Sequence, residues 1–322
     1  PESGAVLGGC RRHCGAGFRE RRGVILRPAL SILTMRRIPL WLSIFLLGIG
    51  GSAHGHDPEA QAGYLGNAGV VVGACGTRVL FDAFFEDDYG RYLLVPAATA
   101  EQVAAGVPPY DGVEAAFVTH VHGDHFTPAP TLAYLRAHPA VRLYAPRQVA
   151  DALANVAAAI DKSVLDRIVS FDLDAGDTPQ THTRGGLTVE VVAIPHSGGQ
   201  GMADIQNLAY RVTLRDAVTV SHLGDATGDE TFYLEQRPFW DARATQLAFV
   251  PYWLLLDEDG RRIIGERIGA ATVVGVHVPA DAVGQGREWR QQAGGDLFTD
   301  PGESRRIDTA GDCGTSPGPQ RN

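Results

Sequence analysis

The chain has 322 residues, 28 lysines and arginines against 37 aspartates and glutamates, and a hydrophobic share of 44%. That share is ordinary for a globular protein and excludes wholesale disorder, while a net charge of −9 excludes the basic footprint of a nucleic-acid-binding surface. Four cysteines are too few for a disulfide scaffold of this length.

Charge is unevenly spread. Residues 1–55 hold eight arginines and two acidic residues, a balance of +6, which leaves −15 on the remainder. The chain starts at Pro1 and its first methionine is Met35. From there Arg36 and Arg37, an apolar run over residues 38–49, and the small residues Gly51, Ser52 and Ala53 read as a secretory signal with its cleavage site. The apolar run has about 12 residues, short of the roughly 20 a membrane span needs. No stable span is therefore expected after cleavage, and an uncleaved anchor is the alternative. Residues 1–34 lack apolar periodicity and read as untranslated or disordered. The expected organisation is a signal peptide at 35–55, one domain over 56–298 and a flexible Gly/Pro/Asp/Ser-rich tail over 299–322, in a periplasmic or secreted protein. Cys75 and Cys313 lie in the mature chain, and their spacing alone does not decide whether they pair.

Two β-rich runs at residues 69–73 and 78–82 flank Ala74-Cys75-Gly76-Thr77 and predict a hairpin. A helix is expected over 98–105, a buried strand over 115–119, a helix over 130–138 and a strand over 141–144. The Ala-rich amphipathic stretch 147–160 predicts another helix. Strands follow at 168–171, 187–194, 208–213 and 217–221, then a helix over 229–236, an apolar run over 247–256 and a last strand over 272–278. No fixed-period repeat occurs. Strands with interspersed helices predict a layered α/β protein.

The strand at 115–119 runs into His120-Val121-His122-Gly123-Asp124-His125. Three imidazoles and a carboxylate at a strand exit suit zinc or a related divalent cation. A solvated polar loop is the competing reading, and it explains a lone histidine better than this cluster. This HxHxDH pattern resembles the metallo-β-lactamase superfamily of hydrolases. The likeness extends to Pro195-His196, Ser221-His222-Leu223-Gly224-Asp225 and Val276-His277, each at a strand end in the expected order, and to Phe81-Asp82 in the opening hairpin. Taken alone, His196 could sit in a plain turn, Asp225 could cap a helix and His277 could be a core histidine.

The resemblance covers about residues 65–280 and implies a four-layer αββα sandwich. It implies two divalent metal ions, zinc by ligand type: His120, His122 and His196 on one, Asp124, His125 and His277 on the other, and Asp225 between them. Asp124 would act catalytically by orienting a metal-bridging hydroxide. Open metal positions and such a hydroxide suit hydrolysis near neutral pH. An Asp bridge and no cysteine ligand look more like the superfamily's lactonases, phosphodiesterases and thioester hydrolases than its β-lactamases. The segments Gln206-Asn207-Leu208 and Phe249-Val250-Pro251-Tyr252-Trp253 are similar to a branch with ascorbate-phosphate lactonase-like and phospholipase-D-like members. The expected substrate is a small molecule or lipid with an ester, lactone or phosphodiester bond. The alternatives are a β-lactam hydrolase and a metal-binding module without turnover. Tyr252 and Trp253 are candidate substrate contacts, and His222 reads first as a structural or supporting histidine, with substrate contact as the alternative. Phe126, Phe232, Tyr233 and Trp240 are more readily core than pocket. The Gly-rich stretch 197–201 is a candidate lip over the metals.

Overall fold

The computed structural model describes residues 60–158 and 161–309. The expected leader at 1–34, the signal peptide at 35–55 and Cys313 lie outside these residues. Cys75 is disulfide-bonded.

Two mixed sheets make up the centre. The first contains β1 (Gln61–Gly66), β2 (Gly69–Ala74), β3 (Thr77–Phe81), β4 (Val113–Phe117), β5 (Arg142–Pro146), β6 (Ile168–Phe171) and β13 (Ser304–Arg306), in the order β13-β1-β2-β3-β4-β5-β6. The second contains β7 (Gln180–Arg184), β8 (Leu187–Ala193), β9 (Leu208–Leu214), β10 (Val218–His222), β11 (Leu247–Pro251) and β12 (Thr272–Val276), in the order β12-β11-β10-β9-β8-β7. The expected hairpin is β2–β3, and its two turn residues, Cys75 and Gly76, both have positive φ, the conformation that primed hairpin turns require.

Period-two alternation sends one face of each strand into the space between the sheets. Val70 and Val72 of β2, Phe117 of β4, Val189 and Val191 of β8, Val218 and Val220 of β10 and Phe249 of β11 share one buried cluster there. The opposite faces are apolar too, because helices cover them. Helices α1 (Ala97–Ala105), α2 (Pro128–Ala137), α3 (Arg147–Val156) and α4 (Lys162–Leu165) bury Val103, Leu135, Leu153 and Val164 against the first sheet. Helices α5 (Glu230–Glu235), α6 (Arg237–Asp241), α7 (Trp253–Leu256), α8 (Glu258–Arg262) and α9 (Gly286–Ala293) flank the second, with Tyr233, Phe239, Trp240 and Leu254 buried on it. The result is the helix–sheet–sheet–helix order expected from the sequence.

Strands β3 to β6 run parallel, as do β10 to β12, and β8 shares the direction of β10 through the antiparallel β9 between them. Loops leaving the C-terminal ends of β4, β8, β10 and β12 therefore carry the chemistry-bearing residues.

The apolar run 247–256 divides into β11, which ends at Pro251, and α7, which begins at Trp253. Two expectations need correction. The flexible tail does not begin at 299. Residues 304–306 pair antiparallel with β1, and Phe298 and Ile307 are buried in the inter-sheet core. These residues read as a tail because a three-residue Ser-Arg-Arg strand has no hydrophobic pattern. His277 does not lie within the last strand. It follows β12 with φ +65°, which turns its side chain out of the strand's alternation.

Candidate metal centre

The seven residues named from the sequence come together. His120, His122 and His196 form one group, His120, His125 and Asp225 a second, and Asp124, His125 and His277 a third, each with ligand atoms within 4.8 Å of one another. The imidazoles of His120 and His196 lie 4.8 Å apart by ring centroid, and those of His122 and His196 lie 4.7 Å apart. Nε2 of His277 stands 3.0 Å from Asp124 Oδ2 and 3.3 Å from Asp225 Oδ2. Nε2 of His125 is 3.2 Å from Asp225 Oδ1, and Nε2 of His196 is 3.5 Å from Asp225 Oδ2. Asp225 thus faces three imidazoles from both halves of the cluster.

An outer set of polar groups fixes the rings. Asp82, at the exit of β3, accepts from the Thr119 backbone N–H (2.8 Å) and the Thr119 hydroxyl (2.7 Å), and its Oδ2 lies 2.9 Å from His125 Nδ1. Thr119 Oγ1 in turn lies 3.1 Å from His120 Nδ1. One buried carboxylate therefore orients two imidazoles, one directly and one through a hydroxyl. Nδ1 of His196 is 2.5 Å from the Ser197 carbonyl. In all three rings Nδ1 is engaged, which leaves Nε2 as the inward atom.

Asn67, in the turn between β1 and β2, donates to the Asp124 carbonyl (2.8 Å) and to Asp124 Oδ2 (3.2 Å), while its own carbonyl accepts from the His277 N–H (2.9 Å). Asn207, at the entry to β9, donates to the carbonyls of Ile194 and Leu223 and accepts from the Asp225 N–H. It clamps the His196 loop to the Asp225 loop. Gly224 has φ +56°, and a Cβ there would meet Asn207 and the Thr119 side chain, so the chain needs glycine just before Asp225.

The electrostatics show a centre that wants positive charge. Burial, followed by the neighbouring imidazoles, holds His120 well below the usual histidine range, and His122 is lowered for the same reasons. Burial opposes ionisation of Asp225, yet the charges of His277 and His125 hold its carboxyl well below the usual range. Asp124 is lowered, against its own burial, by its contact with His277. His125 is raised well above its ordinary value despite burial, chiefly by Asp225, and His196 is raised by Asp225 in the same way. Nε2 of His120 is buried with no hydrogen-bond partner, and Nε2 of His125 and of His196 have only the Asp225 carboxylate beside them.

The remaining candidates divide between core and site. His222 takes the structural role and not that of a substrate contact. It is fully buried, stacks on Phe81 at 5.2 Å, lies 2.9 Å from the Ala68 carbonyl through Nε2 and accepts from the Gly224 N–H through Nδ1. Strand alternation explains this, because His222 follows Val218 and Val220 on the face between the sheets. Phe126, Tyr233 and Trp240 are core, and Phe232 packs on it. Trp253 presents its edge to His277 at 5.4 Å, with its indole N–H donating to the Ala226 carbonyl. Tyr252 packs on Trp253 and Trp289. The Gly-rich stretch after His196 forms a 3-10 turn over Gly199–Met202 with no buried residue.

Tyr92 was not foreseen at all. Its ring meets His277 edge-on at 4.2 Å. Burial raises its phenol above the ordinary range, and the charges of Asp225 and Asp124 add to the rise while Arg91 opposes it. No motif pointed to it, since it lies in the loop-like stretch 86–112.

A family described as "Beta-lactamase superfamily domain" matches residues 77–259. A metal-dependent hydrolase of Pyrococcus furiosus is 29% identical over 146 residues, 44% of this chain and 57% of that protein. The chain thus spans a little over half the length of that relative. Among solved structures, a metallo hydrolase from the archaeon Ignicoccus hospitalis superimposes with a TM-score of 0.51 at 13% identity, over 77% of this chain and 98% of the other. A possible metal-dependent hydrolase from Veillonella parvula gives a TM-score of 0.50 at 15% identity, over 77% and 99%. At these identities the two structures share the fold.

Proposed function

This chain belongs to the beta-lactamase superfamily, and from that premise we propose that it is a metal-dependent hydrolase acting on an ester, lactone or phosphodiester bond of a small molecule. The observation that carries this reading is the convergence of Nε2 of His120, His125 and His196 on the Asp225 carboxylate, with no other partner for these atoms. Three buried imidazoles crowded on one carboxylate, with Nε2 of His120 left unpaired at a cost of about 1–3 kcal/mol, favour a group that the chain is built to hold. Imidazole nitrogen with carboxylate oxygen suits zinc.

The residues fit two divalent cations. His120, His122 and His196 would hold one, Asp124, His125 and His277 the other, with Asp225 shared. Bound cations supply a water that ionises near neutral pH and offset the negative charge that develops on the substrate oxygen. The rest of the work belongs to the chain. Asp82 and Thr119 hold the His120 and His125 rings with Nε2 inward. Asn67 and His277 engage Oδ2 of Asp124, leaving Oδ1 to accept a proton of the attacking water. Trp253, Tyr252 and Tyr92 wall the His277 side and limit solvent around the reacting bond.

The reading includes export to the periplasm or beyond. It is supported by the signal-like stretch after Met35 and by the disulfide at Cys75, a linkage that suits an oxidising compartment.

The test is metal analysis of the purified chain together with turnover of p-nitrophenyl acetate, an acyl lactone and bis(p-nitrophenyl) phosphate. About two zinc ions per chain are expected from the seven ligands, with activity abolished by a chelator and restored by zinc. Retained activity in His120→Ala/His122→Ala would refute the proposal. Turnover confined to penicillins and carbapenems would replace it with a β-lactam hydrolase. Zinc binding without turnover of any substrate would leave a binding module.

A further inference from the structure

His277 is flanked by two aromatic walls. Trp253 meets it edge-on, with its single polar atom committed to the Ala226 carbonyl. Tyr92 meets it edge-on from another element at 4.2 Å. The Tyr92 hydroxyl engages no hydrogen-bond partner among the described residues. Asp225 and Asp124 lie close enough for their charges to act on it. The residue is half-buried, with its ring packed on His277.

The holding is extensive. Residues 83–92 cross the metal-ligand loops. The Asp87 N–H donates to the Gly123 carbonyl, and the Gly123 N–H donates to the Tyr89 hydroxyl at 3.0 Å. The Thr127 N–H donates to the Phe84 carbonyl at 2.7 Å. At the other end the Tyr92 N–H donates to Asp88, Tyr92 bridges to Pro279, and the Ala280 N–H donates to the Arg91 carbonyl. The segment is thus tied to the His122–His125 loop and to the residues after His277. A phenol on a support fixed at both ends is preorganised, which is what a donor to developing charge requires.

We propose that Tyr92 is a catalytic residue of this site, its phenol O–H donating a hydrogen bond to the substrate oxygen on which negative charge develops. This inference rests on the hydrolase reading above. The phenol keeps its proton throughout, so the hydrolysis balances without it. Its contribution is a directed dipole that strengthens as charge accumulates. The competing account is that Tyr92 only braces the His277 ring, which phenylalanine would do equally well.

The zinc-loaded full chain, Tyr92→Phe and Tyr92→Leu separate these accounts. The Phe variant is expected to bind the same zinc equivalents and to keep KM for p-nitrophenyl acetate within about twofold, while kcat falls roughly 100-fold, the lower end of the loss for removal of one such donor. Inorganic phosphate, a tetrahedral oxyanion, gives a reading independent of turnover, and calorimetry should show its affinity weakened about tenfold in the Phe variant. Wild-type levels of both kcat and phosphate affinity in the Phe variant, with loss only in the Leu variant, overturn the inference in favour of bracing. Wild-type protein that binds zinc yet hydrolyses nothing overturns the hydrolase reading and this inference with it. An active wild type with an unimpaired Phe variant overturns this inference alone.

Discussion

At the scale of single residues, the centre is a set of candidate ligands whose directions are set one step further out. Asp82 is the clearest case. Its carboxylate takes a backbone N–H, a hydroxyl and an imidazole nitrogen at once, all fully buried. Asp82→Asn keeps the shape and one carbonyl oxygen but removes the charge that makes the His125 and His120 rings better electron donors. Partners of this kind typically change metal affinity 10–100-fold, so a loss of about tenfold in zinc affinity is expected with the fold intact. Competition with a chromophoric chelator reads that loss, and unchanged affinity would mean that Asp82 serves only the backbone of Thr119. The sequence announced the ligands because HxHxDH is dense and sits at a strand exit. It did not announce Asn67, Thr119 or Asn207. Each is a common polar residue in a turn or at a strand end, and its work is a hydrogen bond to a residue far along the chain. His222 is the opposite case: it lies three positions before Asp225, yet strand alternation turns it inward between the sheets, in the structural role its single occurrence suggested.

At the scale of elements, strands buried on both faces were legible as apolar runs, and β8, β9 and β10 fell close to their expected places. Weak patterns hid the rest. β1 is Gln-Ala-Gly-Tyr-Leu-Gly, β7 is exposed along nearly all its length and β13 is three polar residues. Their existence is decided by pairing. β13 protects the outer edge of β1 and brings Ile307 into the inter-sheet core at 5% exposure. A chain ended after residue 298 loses this strand, whereas one ended after residue 309 keeps it. Burying one isoleucine contributes about 1.5–3 kcal/mol, so the shorter chain should be less stable to urea than the longer one by about that much. Equal midpoints for the two truncations would show that residues 299–309 behave as the tail their composition suggests.

At the scale of the whole molecule, stability and metal binding are coupled, because both sheets end in the same cluster. β4 from the first sheet and β8, β10 and β12 from the second each lead into at least one candidate ligand. A cation held there ties the sheets together and relieves the two carboxylates, Asp124 and Asp225, that are ionised against their own burial. Ligand at one hundred times its dissociation constant stabilises by about 2.7 kcal/mol, which for a domain of this size raises Tm by roughly 5–10 °C. Zinc should produce that rise and a chelator should reverse it. The sign of its pH dependence follows from His125, which Asp225 holds protonated above its ordinary range against the pull of burial. In the metal-free chain this group's stabilisation is complete below the ordinary histidine value and fades as pH rises through the raised one. A cation must displace the same proton, so its binding strengthens over that interval. Both effects enlarge the zinc-induced rise in Tm as pH goes from about 6 to about 8. Scanning calorimetry with and without zinc across this range measures it, and an increment that shrinks towards alkaline pH would mean that the cation does not enter where His125 holds its proton.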